Sequence, residues 1–210
     1  MTSRAFSTAA YRDAARSLAA TGQRIYQHGW SPATSSNYSQ RLNQECVAIT
    51  CSGKDKGLLC ESDIMVVDMA GAPLTDGKPS AETGLHTQLY RQFANANAVL
   101  HTHSHAVTVL TMHWPGNHIF IEGYELLKAL EGINSHDTRI TVPIFDNSQD
   151  IDALAAEVST HFASHPDGPP VYLIRGHGLY TWASSMAQCF TQLEALEALL
   201  AVELERRRLR

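Results

Sequence analysis

Apolar positions recur at helical spacing from Phe6 to His28, where Tyr11, Ala14, Ala15, Leu18, Ala19, Ile25 and Tyr26 share a face and Gly29 follows as a stop. This pattern predicts an opening helix. Ser31-Pro32-Ala33-Thr34-Ser35-Ser36-Asn37 is rich in small polar residues and reads as a loop, either plain surface or a cradle for a ligand. Two short apolar runs, Val47 to Cys51 and Ile64 to Asp68, predict strands separated by a loop that holds Ser52-Gly53-Lys54 and Gly57. The loop Thr75 to Ser80 leads into a helix from about Glu82 to Asn95, with Ser80 as its N-cap.

A strand beginning at Ala98 follows, then a helix from His105 to about Met112, a strand near Ile119 to Glu122 and a short helix around Glu125 to Leu130. Strand Arg139 to Phe145 precedes a helix from about Gln149 to His165, which Pro169 and Pro170 separate from the apolar strand Val171 to Ile174. Leu179 to Trp182 reads as one more short strand and Ser184 to Arg208 as a long closing helix. Strands and helices interleave throughout, which predicts one layered α/β domain over residues 1–210 with helices covering a central sheet.

Composition narrows the function classes. A formal net charge of -5 and the lack of a basic stripe leave no electrostatic footprint for nucleic acid. The basic run Arg206-Arg207-Arg208-Leu209-Arg210 is read as cations complementing the dipole of a last helix. No window is apolar for long enough to span a bilayer, and no N-terminal apolar core predicts a signal peptide. Cys46, Cys51, Cys60 and Cys189 form no CxxC pair, so a reducing cytoplasm is the expected setting. The charged fraction of 18% is low enough to suggest surface hidden in an oligomer.

The candidate chemistry lies in Ala98-Val99-Leu100-His101-Thr102-His103-Ser104-His105. Side chains alternate faces along a strand, so His101 and His103 point the same way and can converge on one divalent ion. Buried imidazoles need partners, which argues against two chance histidines in an apolar strand. A catalytic zinc takes three protein ligands and keeps one position open. His177 in Arg175-Gly176-His177-Gly178 is the best third ligand, because flanking glycines let its backbone approach another element closely. His105 is read as a capping or supporting residue. His28, His86, His113, His118, His136, His161 and His165 are read as surface or helix-end histidines. A Lewis-acidic zinc also needs a proton carrier, and Glu82 and Glu125 are the two candidates. Each equally fits an ordinary first-turn glutamate favoured by a helix dipole.

Taken in order, Ser35-Ser36-Asn37-Tyr38-Ser39, Thr50-Cys51-Ser52-Gly53-Lys54, Lys78-Pro79-Ser80-Ala81-Glu82, His101-Thr102-His103-Ser104 and Gly176-His177-Gly178 resemble the class II aldolase family over nearly the whole chain. The resemblance implies a three-layer αβα domain with a central mixed, largely antiparallel sheet, and one zinc per subunit on His101, His103 and His177. It implies a homotetramer with active sites near subunit contacts. A phosphate cradle falls on Asn37, Ser52, Gly53 and Ser80, with Lys54 adjoining it. Where the family often has Ser-Ser-Glu, this chain has Ser80-Ala81-Glu82, so one hydroxyl of the cradle is missing. Thr50 to Gly57, Tyr124 to Lys128 and Arg175 to Trp182 point further, to the branch that dehydrates a sugar phosphate. The implied reaction converts 5-methylthioribulose 1-phosphate to 5-methylthio-2,3-dioxopentyl phosphate and water in methionine salvage. In that branch Glu125 is the implied acid/base and Glu82 a substrate-side group. The rivals are an aldolase or 4-epimerase on a similar sugar phosphate, and a non-enzymatic protein-binding module.

Overall fold

The periodic segments become five α-helices and eight strands in a computed structural model that describes residues 6–209; Arg210 of the basic run lies outside the described residues. In chain order they are α1 (Thr8–Gln27), β1 (Asn37–Arg41), β2 (Cys46–Thr50), β3 (Ile64–Asp68), α2 (Thr83–Gln92), β4 (Ala98–Thr102), α3 (His105–His113), β5 (His118–Glu122), β6 (Arg139–Phe145), α4 (Ile151–Ser164), β7 (Val171–Ile174), β8 (Gly178–Ala183) and α5 (Met186–Arg208). Short 3-10 turns cover Lys56–Leu58, Glu61–Asp63 and Glu125–Ala129. Among the described residues no helix is long and apolar enough to cross a membrane.

The strands form one sheet in the order β3-β2-β1-β4-β8-β7-β6-β5. Every neighbouring pair is antiparallel except β6 and β7. The sheet is therefore mixed and largely antiparallel, with helices on both faces, as the α/β pattern of the chain predicts. On one face Leu18 and Ile25 of α1 and Leu193, Leu196 and Leu200 of α5 pack with Ala48, Leu100 and Leu179. On the other, Leu85, Leu89 and Tyr90 of α2 and Leu154, Val158 and Phe162 of α4 pack with Val99, Tyr172, Tyr180 and Trp182.

Alternation along β4 serves both faces. His101 points to the α2–α4 side and stacks on Tyr180 at 4.0 Å between ring centroids. Its neighbour Thr102 points the other way and donates its hydroxyl to Glu197 of α5.

Three expectations change. β1 begins at Asn37, at the end of what reads as a loop, and pairs Asn37 with His101 of β4. Its polar residues find buried partners on other elements, which a hydrophobic pattern does not register. Helix α2 starts at Thr83 with Glu82 in the cap position, so Ser80 is not its N-cap; the Ser80 hydroxyl instead accepts from the Glu82 N–H at 3.3 Å. Helix α3 is capped by Ser104, whose side chain accepts from Val107 N–H at 3.2 Å, rather than by His105.

Candidate active site

The site forms where β4 ends, the β7–β8 turn folds back, and the segment before α2 crosses. β4 is buried along its whole length, and strand geometry stops at Thr102, just before His103. The turn carrying His177 comes close because of its glycines. Gly176 adopts φ +63°, and a Cβ at Gly178 would lie 1.8 Å from the Thr102 carbonyl oxygen. Only glycine lets β8 approach β4 this closely.

Three imidazole nitrogens converge as a result. His101 Nε2 lies 2.8 Å from His103 Nε2 and 3.3 Å from His177 Nε2, and the latter two are 3.2 Å apart. Glu82 joins them, with Oε1 3.0 Å from His177 Nε2 and Oε2 3.5 Å from His101 Nε2. One ligand atom from each of the four lies within 4.8 Å of the others.

Hydrogen-bond directions decide what this cluster can hold. His101 Nδ1 is 2.9 Å from the Leu179 carbonyl oxygen, which only accepts, so Nδ1 carries the hydrogen and Nε2 of the neutral ring presents a lone pair. His177 Nδ1 faces Asn147 Oδ1 at 3.2 Å and is oriented in the same way. Burial pushes His101 down to about 4 and His103 to about 3, so both are neutral near pH 7. Burial works to raise the Glu82 carboxyl, whereas positive charge placed at the cluster and the Asn37 amide hold it below the usual carboxylate range. Glu82 Oε1 is buried and has no hydrogen-bond donor. Lone pairs and a carboxylate turned towards one another at these distances repel unless a cation lies among them. Imidazole nitrogens with a carboxylate oxygen are a donor set suited to a divalent metal, and the partners of His101 and His177 fix their ring orientations.

Beside the cluster lies a cavity of about 320 Å³. Asn37, Ser52, Gly53, Ser80, Glu82, His103 and His177 all line it. The small-residue loop enters through Ser36, a non-glycine at φ +71°, and Gly53 at φ +73° turns the second loop beside it. Left-handed backbone at a serine is costly and is held by surrounding structure, here in part by the Ser36 hydroxyl donating to Trp30 O at 3.3 Å.

Other residues settle elsewhere. Lys54 is turned away to Asp63 at 2.8 Å, and Lys56 lines the cavity in its place. The Lys56 ammonium is almost completely buried and donates to Thr34 O at 3.1 Å and Lys54 O at 2.8 Å; burial lowers it to about 8 against the opposing pull of Asp55 and Asp63. Glu125 stands outside the cavity lining, 72% exposed, paired with Lys128 at 2.6 Å and His136 at 3.2 Å.

His86 departs from its surface or helix-end reading, since it is fully buried behind Asn37. Its position in the first turns of α2, three and four residues before Leu89 and Tyr90 on one helix face, was the available signal. Asn147 lies two residues past the end of β6, and a polar residue near a strand end was the only hint of its role.

Comparison with known proteins agrees with this geometry. The family model described as class II aldolase and adducin N-terminal domain matches residues 16–204. A methylthioribulose-1-phosphate dehydratase from Alcanivorax borkumensis is 67% identical over 100% of this chain and 99% of its own length. Its counterpart from Marinobacter nauticus is 51% identical over 98% and 99%. The fold is shared with L-fuculose-1-phosphate aldolase from Thermus thermophilus, at TM-score 0.70 and 22% identity over 95% of this chain and 94% of that one. An aldolase II superfamily protein from Pseudomonas syringae superposes with TM-score 0.77 and 21% identity, over 96% and 78%. With its αβα layers, converging histidines and full-length match to these relatives, the chain belongs to the class II aldolase family.

Proposed function

We propose that this chain is a metal-dependent lyase, one class II aldolase-like domain that dehydrates 5-methylthioribulose 1-phosphate to 5-methylthio-2,3-dioxopentyl phosphate in methionine salvage. The observation that carries this reading is the 67% identity to a dehydratase of that name across both full lengths, in a chain whose ligand cluster and adjoining cavity are intact. The resident metal in this reading is zinc, on His101, His103 and His177 with Glu82 beside them, and it supplies a Lewis acid that acidifies a carbon-bound proton next to a carbonyl.

The chain's own residues do the rest. Asn37, Ser52, Gly53 and Ser80 hold the phosphate by amide, hydroxyl and backbone N–H groups, and this remote binding energy positions the reacting carbons. Lys56 supplies the positive charge that Lys54, held by Asp63, does not bring. Glu82 faces the substrate side of the metal cluster and fixes its geometry. Glu125 takes the proton from C3 and returns one to the hydroxyl leaving C4, and the resulting enol becomes the diketone. Because Glu125 is exposed and outside the cavity of its own chain, a second copy delivers it, within a cytoplasmic homotetramer.

Purified protein loaded with zinc and given 5-methylthioribulose 1-phosphate forms the diketone phosphate, and His101→Ala abolishes it. Release of dihydroxyacetone phosphate from another sugar phosphate, with no diketone, moves the chain to the aldolase reading. Glu125→Gln folds, keeps zinc and loses turnover by at least about 100-fold. Mixing it with inactive His101→Ala subunits restores part of the activity through shared sites; full activity in Glu125→Gln alone removes its assignment.

A further inference from the structure

We infer that His86, buried and out of reach of the cavity, is a positioning residue that fixes which end of the Asn37 amide faces Glu82. Asn37 lies between the two. Its Nδ2 is 2.6 Å from Glu82 Oε2 and 3.3 Å from Ser80 Oγ, and its Oδ1 meets His86 Nε2 in a short contact. His86 Nδ1 is 2.7 Å from Ser39 Oγ, and Ser39 Oγ is 2.9 Å from Tyr90 OH. Asn37, Ser39, His86 and Tyr90 are all buried.

The hydrogens along this row have one consistent arrangement. The Glu82 carboxylate only accepts, so the Asn37 NH2 must face it and the Asn37 carbonyl must face His86. His86 therefore carries its hydrogen on Nε2. A neutral ring then accepts at Nδ1, so the Ser39 hydroxyl donates there, and Ser39 Oγ in turn accepts from Tyr90 O–H. Burial keeps the His86 ring neutral by pushing it down to about 4. Every donor points toward Glu82. Turning the Asn37 amide over would place its oxygen against the carboxylate and its NH2 against an N–H, and His86 forbids that. Tyr180 stands edge-on beside the His86 ring, 5.6 Å away between ring centroids.

The inference rests on the metal-site reading but not on the identity of the substrate. Groups that orient ligands from behind typically affect metal affinity by about 10–100-fold. His86→Phe should weaken zinc binding, measured by chelator competition, within that range. His86→Gln, whose amide can still donate to Asn37, should recover most of it. His86→Phe leaves the Asn37 carbonyl without a donor and the Ser39 O–H without its acceptor, so Ser39→Ala is the milder companion. It removes the donor to Nδ1 and the acceptor of the Tyr90 O–H, and should cost a few-fold in zinc affinity. Nitrogen-15 NMR of histidine-labelled, metal-free protein should show His86 as the Nε2–H tautomer in the wild type and as a mixture in Ser39→Ala. Adding His86→Phe to Asn37→Ala should cause no further loss of zinc affinity, because both act through one amide.

An Nδ1–H tautomer in the wild type overturns the inference. So does unchanged zinc affinity in folded His86→Phe or Ser39→Ala, with only the melting temperature lowered. Normal zinc binding with no dehydration in the wild type instead overturns the proposed function and leaves this inference standing.

Discussion

On the α1–α3–α5 side of the sheet the buried side chains are mostly aliphatic, with Leu18, Ile25, Leu100, Leu179, Leu193, Leu196 and Leu200 in one cluster. On the α2–α4 side the strands present Tyr172, Tyr180 and Trp182, and the polar row from Tyr90 to Glu82 runs beneath the metal cluster. Aliphatic burial is non-directional and scales with area, so its loss costs stability without changing what any remaining group points at. Buried hydrogen bonds are directional, and removing one member leaves its partner unsatisfied and free to turn. The orientation of the site is therefore built on one face of the sheet, and much of its stability on the other. Glu197 is one of the exceptions, with Gln192 and Glu203 of the same helix, and it tests this division: it is a buried carboxyl on the aliphatic side, bonded to Thr102 between the two strand-end histidines.

The largest expected effect comes where both faces meet. Gly178→Ala forces β8 away from the Thr102 carbonyl, and should cost more than about 4 kcal/mol, the range reserved for severe steric or packing defects. Urea unfolding and zinc titration should both fail together; a stable variant with normal zinc affinity would show that the close approach is dispensable.

Leu193→Ala truncates a fully buried side chain of α5 and should cost about 2–5 kcal/mol. Zinc affinity of the folded variant should stay within a factor of two. A large loss of affinity would mean that the aliphatic face orients the site as well.

Glu197 is expected to make a pH-dependent contribution of similar or smaller size. Burial raises its carboxyl to about 7, against the hydroxyls of Ser104 and Thr102. A carboxyl raised in the folded state favours folding most where both states hold the proton, below about pH 4.5. That contribution is lost as pH rises through about 7, on the order of 3 kcal/mol for a shift of this size. Glu197→Gln should flatten this part of the stability profile of the metal-free protein and leave it more stable than the wild type at pH 8. An unchanged slope between pH 4.5 and 8 would show that Glu197 is ionised in the fold.

The smallest effect is expected at the mouth, outside both faces. Lys54 meets Asp63 in an exposed ion pair, and such pairs contribute little. Lys54→Ala should leave the unfolding midpoint and the binding of inorganic phosphate unchanged, whereas Lys56→Met should weaken phosphate protection against heat.

Much of this architecture was readable before any coordinates. Helices α1, α4 and α5 follow apolar positions at helical spacing, and β4, β6 and β7 follow apolar runs bounded by breakers. The three converging histidines stood out because two were spaced for one face of a strand and the third lay between glycines. β1 was not readable, since Asn37, Ser39 and Gln40 carry no apolar alternation. Asn37 and Ser39 are accommodated in the sheet because His86 and Tyr90 of α2 meet them from elsewhere in the chain. His86 looked like any other histidine in a chain with eleven of them. Lys54 and Lys56 were indistinguishable by composition, and the backbone of the Lys56–Leu58 turn decides which of them goes inward.

Periodicity, glycine placement and residue chemistry act over a few positions along the chain, so the sequence by itself determined the αβα class, most elements and the three imidazoles that converge. The direction of the Asn37 amide and the entry of Glu82 into the cluster depend on groups 45 to 95 positions apart meeting in space, and the placement of Glu125 outside its own cavity depends on where the fold sets its short turn. Only the tertiary structure decided these, because a hydrogen bond acquires its direction from the partner it meets and not from the residue that makes it.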